Sequence, residues 1–333
     1  MEAALADTTL DGFAREQLAI RLARVAERWL RCSEESSAAA IHDLRVSIRR
    51  FGEPLGVFKN LFPKQARKQV TAELRQVMKL AGRTRDVDIV RNCFVYADVP
   101  LSSQISLFLA NERATAEAGL RAGLSVGLAT RFASRWEQAL ALREATAAPL
   151  SEDSYPVIAS HQKSLWQEHE RLALSARSAL PGLLGEYCGK GNSFGSRKVR
   201  QKCLHQLRLN GKHLRYALEI FRPVYGRRMD ELLATLKETQ SQLGDITDGA
   251  ATLRWLKSHE LQQTPEVQQL KLFLDLQSDK LCARFADYWM EHWGQPAFED
   301  RWAAYLRRYA GQMPPQRTKL PHPTAAEQDS EAS

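Results

Sequence analysis

The sequence lacks the features that mark several classes of protein. Its five cysteines are odd in number, widely spaced and without a Cys-x-x-Cys pair, which fits neither a disulfide framework nor a structural zinc site. Glycine and proline number only 18 and 13 in 333 residues, which excludes a collagen-like or low-complexity chain. The longest run without a charged residue covers 99–111 and is shorter than the roughly 18 apolar residues of a membrane-spanning helix.

The sequence also indicates the cellular compartment of the protein. The N-terminal residues have neither a basic start nor a long apolar stretch, so the sequence predicts no secretion signal. Scattered free thiols suit a reducing environment. We therefore expect a cytoplasmic protein that does not associate with membranes.

Positive charge is plentiful and unevenly distributed. Lysine and arginine total 47 against 39 acidic residues, which gives a net charge of +8 and a pI near 9.3. The segment 193–228 alone holds ten lysines and arginines against the single acid Glu219. A concentrated positive field without an internal partner favours an anionic ligand. Hydrophobic residues make up 44% of the chain, enough for a substantial core.

The apolar residues recur at helical spacing, and no stretch alternates as a half-buried strand does. The sequence therefore predicts an all-α protein. Helix periodicity, bounded by prolines and glycines, predicts helices over 10–32, 38–61, 64–96, 102–147, 155–187, 196–222, 227–258, 266–292 and 297–309.

An internal repeat is the most informative pattern in the chain. The motif His42-x-x-Arg45 aligns with His205-x-x-Arg208, 163 residues further on, and apolar residues keep the same register downstream. Such self-similarity indicates a duplicated structural unit. The sequence thus predicts two four-helix halves and a disordered tail, over 1–149, 150–310 and 311–333.

Both repeated helices have an apolar back and a cationic front. At about 100° per residue, the apolar side chains of each helix fall within an arc of about 80°. The opposite side carries His42, Arg45, Arg49 and Arg50 in the first helix and His205, Arg208, Lys212 and Arg215 in the second. Such a front is either an ordinary solvated face or an anion site. Repulsion between like charges at i,i+4 and the duplication favour the anion site.

The length of the two fronts favours an extended polyanion over a single phosphate. Cations at spacings of three and four continue for several turns of about 5.4 Å, and DNA, RNA and inorganic polyphosphate all carry regularly spaced charge. Single-stranded nucleic acid is usually bound through exposed aromatic rings, yet only Tyr216 lies on a cationic front. The sequence shows neither a helix-turn-helix nor a basic zipper. These features weigh against nucleic acid and leave it as an alternative.

The repeated motif resembles that of a known family. The run His42-x-x-Arg45-x-x-x-Arg49-Arg50 and its second copy at His205 are similar to the signature of the CHAD family, the conserved-histidine α-helical domain. Gly82-x-x-Arg85-Asp86 and its counterpart Leu243-Gly244-x-x-x-Asp248 resemble the family's motif on the following helix. The resemblance covers about residues 8–309.

This resemblance implies two four-helix bundles related by a pseudo-twofold axis, with the two histidine-bearing helices lining a basic central channel. It implies that the channel binds inorganic polyphosphate, that the protein associates with polyphosphate granules, and that it is not an enzyme. It implies no resident cofactor, since any divalent cation would arrive with the polyphosphate. The ligands carried over are His42, Arg45, Arg49, Arg50, His205, Arg208, Lys212 and Arg215.

Other lysines and arginines are candidate ligands because of their positions on the predicted helices. Lys198 and Lys202 share the cationic front of their helix, and Arg85 is either a ligand or a surface partner of Asp86. The stripe Arg21, Arg24, Arg28 and Arg31 on the first helix either forms a solvated face or reaches the same channel. A metal site at His42 or His205 is disfavoured because the neighbours at helical spacing are cations.

Two other functions remain as alternatives. CHAD segments often follow a metal-dependent triphosphatase domain marked by a Glu-x-Glu-x-Lys strand, and the chain contains no such element. A metal-dependent hydrolase of triphosphate or polyphosphate is the enzymatic alternative. A nucleic-acid-binding protein is the other.

Overall fold

The computed structural model describes residues 10–129, 131–142, 197–225 and 228–293, and this part of the chain is helical without strands. The predicted all-α class is therefore confirmed. The α-helices are α1 (Leu10–Glu34), α2 (Ala38–Val57), α3 (Lys64–Tyr96), α4 (Ser103–Ala129), α5 (Phe132–Ala139), α6 (Arg197–Tyr225), α7 (Arg228–Ser258) and α8 (Pro265–His292). Within those ranges, none of the helices combines the length and the hydropathy that crossing a bilayer requires.

Helix α2 carries the first copy of the repeated motif and has clear start and stop signals. The hydroxyl of Ser37 caps it by accepting a hydrogen bond from the backbone N–H of Ala40 at 3.2 Å. The helix continues through the buried Pro54 and ends at Val57, before a 3-10 turn at Lys59–Leu61. The predicted span of 38–61 therefore divides into a helix and a short turn.

The apolar backs of α2 and α6 are buried as predicted. Each side chain of the two stripes is at most 8% exposed: Leu44, Ile48, Phe51 and Leu55 on α2 with Phe58 at its C-cap, and Leu207, Leu214, Leu218 and Phe221 on α6. The rings of Phe58 and Phe221 lie 6.1 Å apart, and Phe13 of α1 contacts both. This shared core fixes the two helices against each other.

The remaining helices surround this pair. Helix α2 packs on α6, and α3 packs on α7, so the elements of the two sequence copies meet along two helix pairs. A second core joins the end of α3 to α4, α7 and α8 through buried Phe94, Ile105, Leu256 and Leu270. The copies are therefore connected by apolar packing at more than one place.

The prediction of a single helix over 102–147 is wrong. Arg131 adopts a left-handed conformation with φ 50° and ψ 50°, which ends α4 and begins the shorter α5. The break turns Phe132 onto the ring of Trp29, with centroids 4.6 Å apart. It also brings the indole N–H of Trp136 within 3.1 Å of a Glu73 carboxylate oxygen. These tertiary contacts override the local helical pattern.

Several predicted elements fall outside the described residues. They are the helices over 155–187 and 297–309 and the tail at 311–333. The division of the chain into halves over 1–149 and 150–310 stays a prediction for the same reason.

Candidate functional site

The predicted cations of the two helices converge where α2 and α6 pack together. Arg45 and Arg49 extend from α2, and Arg208 and Lys212 extend from α6; we call these four side chains the central cluster. Burial lowers the pKa of Arg49, and among the nearby cations Arg208 lowers it further. Charges that shift each other's pKa in this way lie close together in the fold. The structure thus brings together cations 159 to 167 residues apart in sequence.

Lys212 has a strongly lowered pKa within the cluster. Burial and, after it, the charges of Arg208, Arg49 and Arg45 together lower its pKa from 10.5 to about 7, against the opposing charge of Asp248. A lysine in this position is partly neutral at physiological pH. The central cluster therefore carries more positive charge than the nearby carboxylates balance.

Two glycines make room for the arginines of the cluster. Arg45 Nη1 donates a hydrogen bond to the carbonyl of Met78 at 2.8 Å and passes over Gly82, where a Cβ atom would lie 3.2 Å from it. Arg208 passes over Gly244 in the same way, with Nη2 at 3.3 Å from a Cβ placed there. Each arginine of the repeated helix thus lies on the glycine of the next helix in its own sequence copy.

Two aspartates flank these arginines from α3 and α7. Asp248 lies 3.6 Å from Arg208 Nη1. Burial raises the pKa of Asp86. The charge of Arg45 lowers this pKa, and the charge of Asp248 raises it. The two carboxyl groups thus act on each other as well as on the arginines, and they balance only part of the positive charge of the cluster.

Buried donors at the site lack hydrogen-bond partners. The Nε atoms of Arg208 and Arg215 are buried and donate no hydrogen bond to any described residue. The guanidinium of Arg215 lies over the ring of Tyr216 at 4.9 Å from its centroid. Tyr216, predicted on the cationic front, is 5% exposed, so it supports Arg215 and offers no free face for stacking.

Both histidines of the repeated motif are exposed beside the cluster. Partial desolvation lowers the pKa of His42, and the charges of Arg85 and Arg49 lower it further. Desolvation and the charge of Arg208 likewise lower the pKa of His205. The two rings are therefore neutral at pH 7 and act as hydrogen-bonding groups, with Arg85 close to the first of them.

Arg254 of α7 is a neighbour that the sequence did not single out. Its charge also lowers the pKa of His205, as that of Arg85 on α3 does for His42. Each histidine therefore faces an arginine of the next helix in its own half. The motif that α3 and α7 share ends at Asp86 and Asp248 and points to this part of α7. Arg254 lies six residues beyond Asp248, so the motif itself does not include it.

The other predicted ligands are not among the four side chains of the central cluster, although Arg215 acts on Arg49. Arg50 points across to α6, where its Nε lies 2.9 Å from a Glu219 carboxylate oxygen, and Arg215 lies 3.9 Å from the same carboxylate. Lys202 is exposed on α6. The side chain of Lys198 lies outside the described residues.

The glycine contacts lead to a first prediction. Gly244→Ala should place its Cβ against Arg208 and displace the guanidinium, weakening polyanion binding by about tenfold, the effect of one charge-assisted hydrogen bond. The same change removes a flexible residue from α7 and should keep or raise the free energy of unfolding by up to about 1 kcal/mol. Binding titrations and thermal unfolding measure the two effects.

Gly52→Ala is the matched control, because a Cβ at Gly52 of α2 meets nothing within 4 Å. It should stabilise the protein without weakening binding. Equal affinity in the Gly52→Ala and Gly244→Ala variants would show that the position of Arg208 does not matter for binding.

Comparison with known proteins decides the family. The family model described as the CHAD domain matches residues 14–257. The chain belongs to the CHAD domain family. Polyphosphate binding is the known role of that family, and the resemblance predicted from the repeated motif is confirmed.

Two solved structures share the fold of this chain. The CHAD domain from the plant Ricinus communis superposes with a TM-score of 0.54 at 18% identity, covering 91% of this chain and 93% of that one. PptA from Streptomyces chartreusis superposes with a TM-score of 0.54 at 18% identity, covering 85% and 99%. A search of curated protein sequences finds no match to this chain.

The described residues offer no alternative metal centre. Among them, no group of three or more histidines, cysteines, aspartates and glutamates lies close enough together to hold a metal ion. Except for Asp43 beside His42, the charged groups that act on His42 and His205 are arginines and a lysine, which repel a cation.

Proposed function

We propose that this CHAD protein binds inorganic polyphosphate in a basic central channel, with Arg45, Arg49, Arg208 and Lys212 as its main ligands. The observation that carries the proposal is the convergence of these cations from two distant parts of the chain, where burial and mutual repulsion lower the pKa of Arg49 and Lys212. Such an arrangement costs free energy in the empty protein, and a bound polyanion removes that cost.

Polyphosphate suits this cluster through its chemistry. Each guanidinium presents a planar fork to phosphate oxygens, while the ammonium of Lys212 is a point charge. The buried Nε donors of Arg208 and Arg215, which donate no hydrogen bond to a described residue, gain acceptors when phosphate oxygens arrive. The neutral rings of His42 and His205 add hydrogen bonds at the edge of the cluster.

Nucleic acid is the weaker candidate because α2 and α6 offer no stacking surface. Their described aromatic side chains, Phe51, Phe58, Tyr216 and Phe221, are all at most 8% exposed. Proteins that bind single strands use exposed rings for this purpose. A nucleic acid would be held by its phosphates alone, and its bases would hinder entry into a narrow basic channel.

The proposed role is binding without catalysis, in the cytoplasm and at polyphosphate granules. The central cluster supplies arginines and a lysine, and two neutral histidines lie beside it. All of these side chains can hold phosphate groups. Of the two nearby carboxyl groups, Asp248 lies 3.6 Å from Arg208 Nη1, and Asp86 is subject to the charges of Arg45 and Arg85. Metal-assisted hydrolysis instead requires carboxylates arranged around a divalent cation.

A titration across salt concentrations tests this proposal. Long-chain polyphosphate should bind with an affinity that falls linearly with salt on logarithmic axes, with a slope steeper than about −3 because several phosphates are neutralised together. At matched ionic strength, polyphosphate should displace bound RNA and duplex DNA, and added Mg²⁺ or Mn²⁺ should release no phosphate. Stronger binding of nucleic acid would favour that alternative, and metal-dependent phosphate release would favour the hydrolase.

A further inference from the structure

A second basic pocket lies between α1 and α2. It has a volume of about 200 Å³. Four arginines and one carboxylate contribute charge to its wall, which consists of Arg21, Arg24, Arg28, Asp43, Val46, Ser47 and Arg50. We call it the α1 pocket. Three of its arginines belong to the stripe on α1 that the sequence left unassigned.

The carboxylates near the α1 pocket balance only part of its charge. Asp43 lies 3.7 Å from Arg28 Nη1 and is shared with Arg31 at the same distance. The exposed Glu27 also lies 3.7 Å from Arg28 Nη1. Glu219 pairs with Arg50. Arg24 forms no ion pair with any described residue, although it lines the pocket.

The pKa of Arg21 is affected by the positive charge that remains. Burial, together with the charges of Arg24 and Arg50, lowers its pKa to about 10, although the charge of Glu219 acts in the opposite direction. Its Nη1 donates to the carbonyl and the side-chain oxygen of Gln17, at 3.0 and 2.6 Å. The guanidinium is thereby held at the pocket by its own helix, without a carboxylate in direct contact among the described residues.

Glu219 connects the α1 pocket to the central cluster. Its carboxylate lies 2.9 Å from Arg50, which lines the pocket, and 3.9 Å from Arg215. Arg215 in turn lowers the pKa of Arg49 in the central cluster. This carboxylate thus lies between two regions of excess positive charge.

We propose that the α1 pocket is a second phosphate-binding site, which takes the part of a long polyphosphate chain that extends beyond the central cluster. This proposal rests on the function proposed above. Arg21, Arg24 and Arg28 donate charge-assisted hydrogen bonds to the phosphate oxygens there. The pocket therefore adds affinity for long chains and none for chains short enough to occupy only the central cluster.

The test compares two chain lengths in three proteins. Long-chain polyphosphate and tripolyphosphate are titrated at the same low salt into the unaltered chain, into Arg24→Glu, and into the charge-matched control Arg91→Glu. Both arginines are exposed, so neither change should disturb folding. Arg24→Glu should weaken long-chain binding by about tenfold relative to Arg91→Glu, while tripolyphosphate binds equally to both variants. The neutral variant Arg24→Gln should give a smaller loss in the same direction.

The outcomes separate this proposal from the proposed function. If Arg24→Glu and Arg91→Glu bind long chains equally, the α1 pocket takes no phosphate. If Arg24→Glu loses tripolyphosphate binding to the same extent as long-chain binding, the pocket is a primary phosphate site and the extension proposed here is wrong. Absence of any polyphosphate binding by the unaltered chain would instead contradict the proposed function.

Discussion

The double variant Arg45→Glu with Arg208→Glu is expected to lose long-chain polyphosphate binding almost completely, with affinity lower by about 10³-fold or more. Each change removes one charge-assisted contact, worth about 1.5–3 kcal/mol, and adds a repelling carboxylate. About 1.4 kcal/mol corresponds to a tenfold change in affinity. Retention on immobilised polyphosphate and titration calorimetry both measure the loss.

The control for this variant carries the same charge change elsewhere. Lys79→Glu with Arg91→Glu alters two exposed residues of α3 and should bind polyphosphate with nearly unchanged affinity at moderate salt. Circular dichroism checks that both double variants remain helical, since Arg45 also bonds the Met78 carbonyl. Unaltered retention by a folded Arg45→Glu, Arg208→Glu protein would remove α2 and α6 from the binding site.

Polyphosphate binding should also weaken as pH rises above 7. Lys212 has its pKa lowered to about 7 by burial and by Arg208, Arg49 and Arg45, against the opposing charge of Asp248. A bound polyanion favours the charged lysine, so binding takes up a proton above that pH. Affinity should fall by about tenfold between pH 7 and pH 8.5. Titrations in buffers of different ionisation enthalpy measure the proton uptake directly.

The variant Lys212→Arg serves as the control, because arginine stays charged throughout this range. Its affinity should change little between pH 7 and pH 8.5. The pKa values of His42 and His205 are both lowered from 6.5, so the Lys212→Arg variant isolates the lysine from any protonation of these rings that binding induces. Equal pH dependence in Lys212→Arg and the unaltered chain would show that another group titrates.

The same lysine should make the ligand-free protein less stable at low pH. Its pKa is about 7 in the folded protein against an ordinary value of 10.5, so between these values the unfolded chain holds a proton that the folded chain lacks. The free energy of unfolding therefore rises with pH across this window, and the cost of the buried charge is fully present below pH 7. Lys212→Met should raise the free energy of unfolding by about 2 kcal/mol at pH 6 and by little at pH 10.

Denaturant titrations at the two pH values measure this stability difference. The gain at pH 6 should accompany weaker polyphosphate binding, as expected where a binding site is built at the expense of stability. A Lys212→Met protein that is destabilised equally at both pH values would instead indicate that the lysine contributes through packing.

The amino-acid pattern alone was sufficient to predict the two helices that build the site. Their helical period places Phe51 and Leu214 on one side and Arg49 and Lys212 on the other, and the structure buries the first pair. The repeat then suggested that both cationic fronts serve one ligand. These inferences depend on local geometry, which a helix fixes residue by residue.

Features that depend on distant contacts could not be predicted in this way. The break at Arg131 has no proline beside it and follows from the packing of Phe132 on Trp29, more than 100 residues away in sequence. The ion pair between Arg50 and Glu219 joins residues 169 positions apart. Because of that pair, Arg50 lines the α1 pocket, although its motif position suggested the same role as Arg49.

The lowered pKa of Lys212 likewise arises only when both helices are in place. Along α6, its nearest cation of the cluster is Arg208, one turn away. The further repulsion comes from Arg45 and Arg49 on α2, and burial depends on the packing of the whole site. The sequence identified the lysine as a ligand and gave no sign that it titrates near neutral pH.

A crystal structure of the complex with long-chain polyphosphate tests the central claim most directly. The proposed function predicts one polyphosphate chain whose oxygens lie within hydrogen-bond distance of Arg45 or Arg49 on α2 and of Arg208 or Lys212 on α6 at the same time. A chain bound to only one of these helices, or to another surface of the molecule, would contradict it.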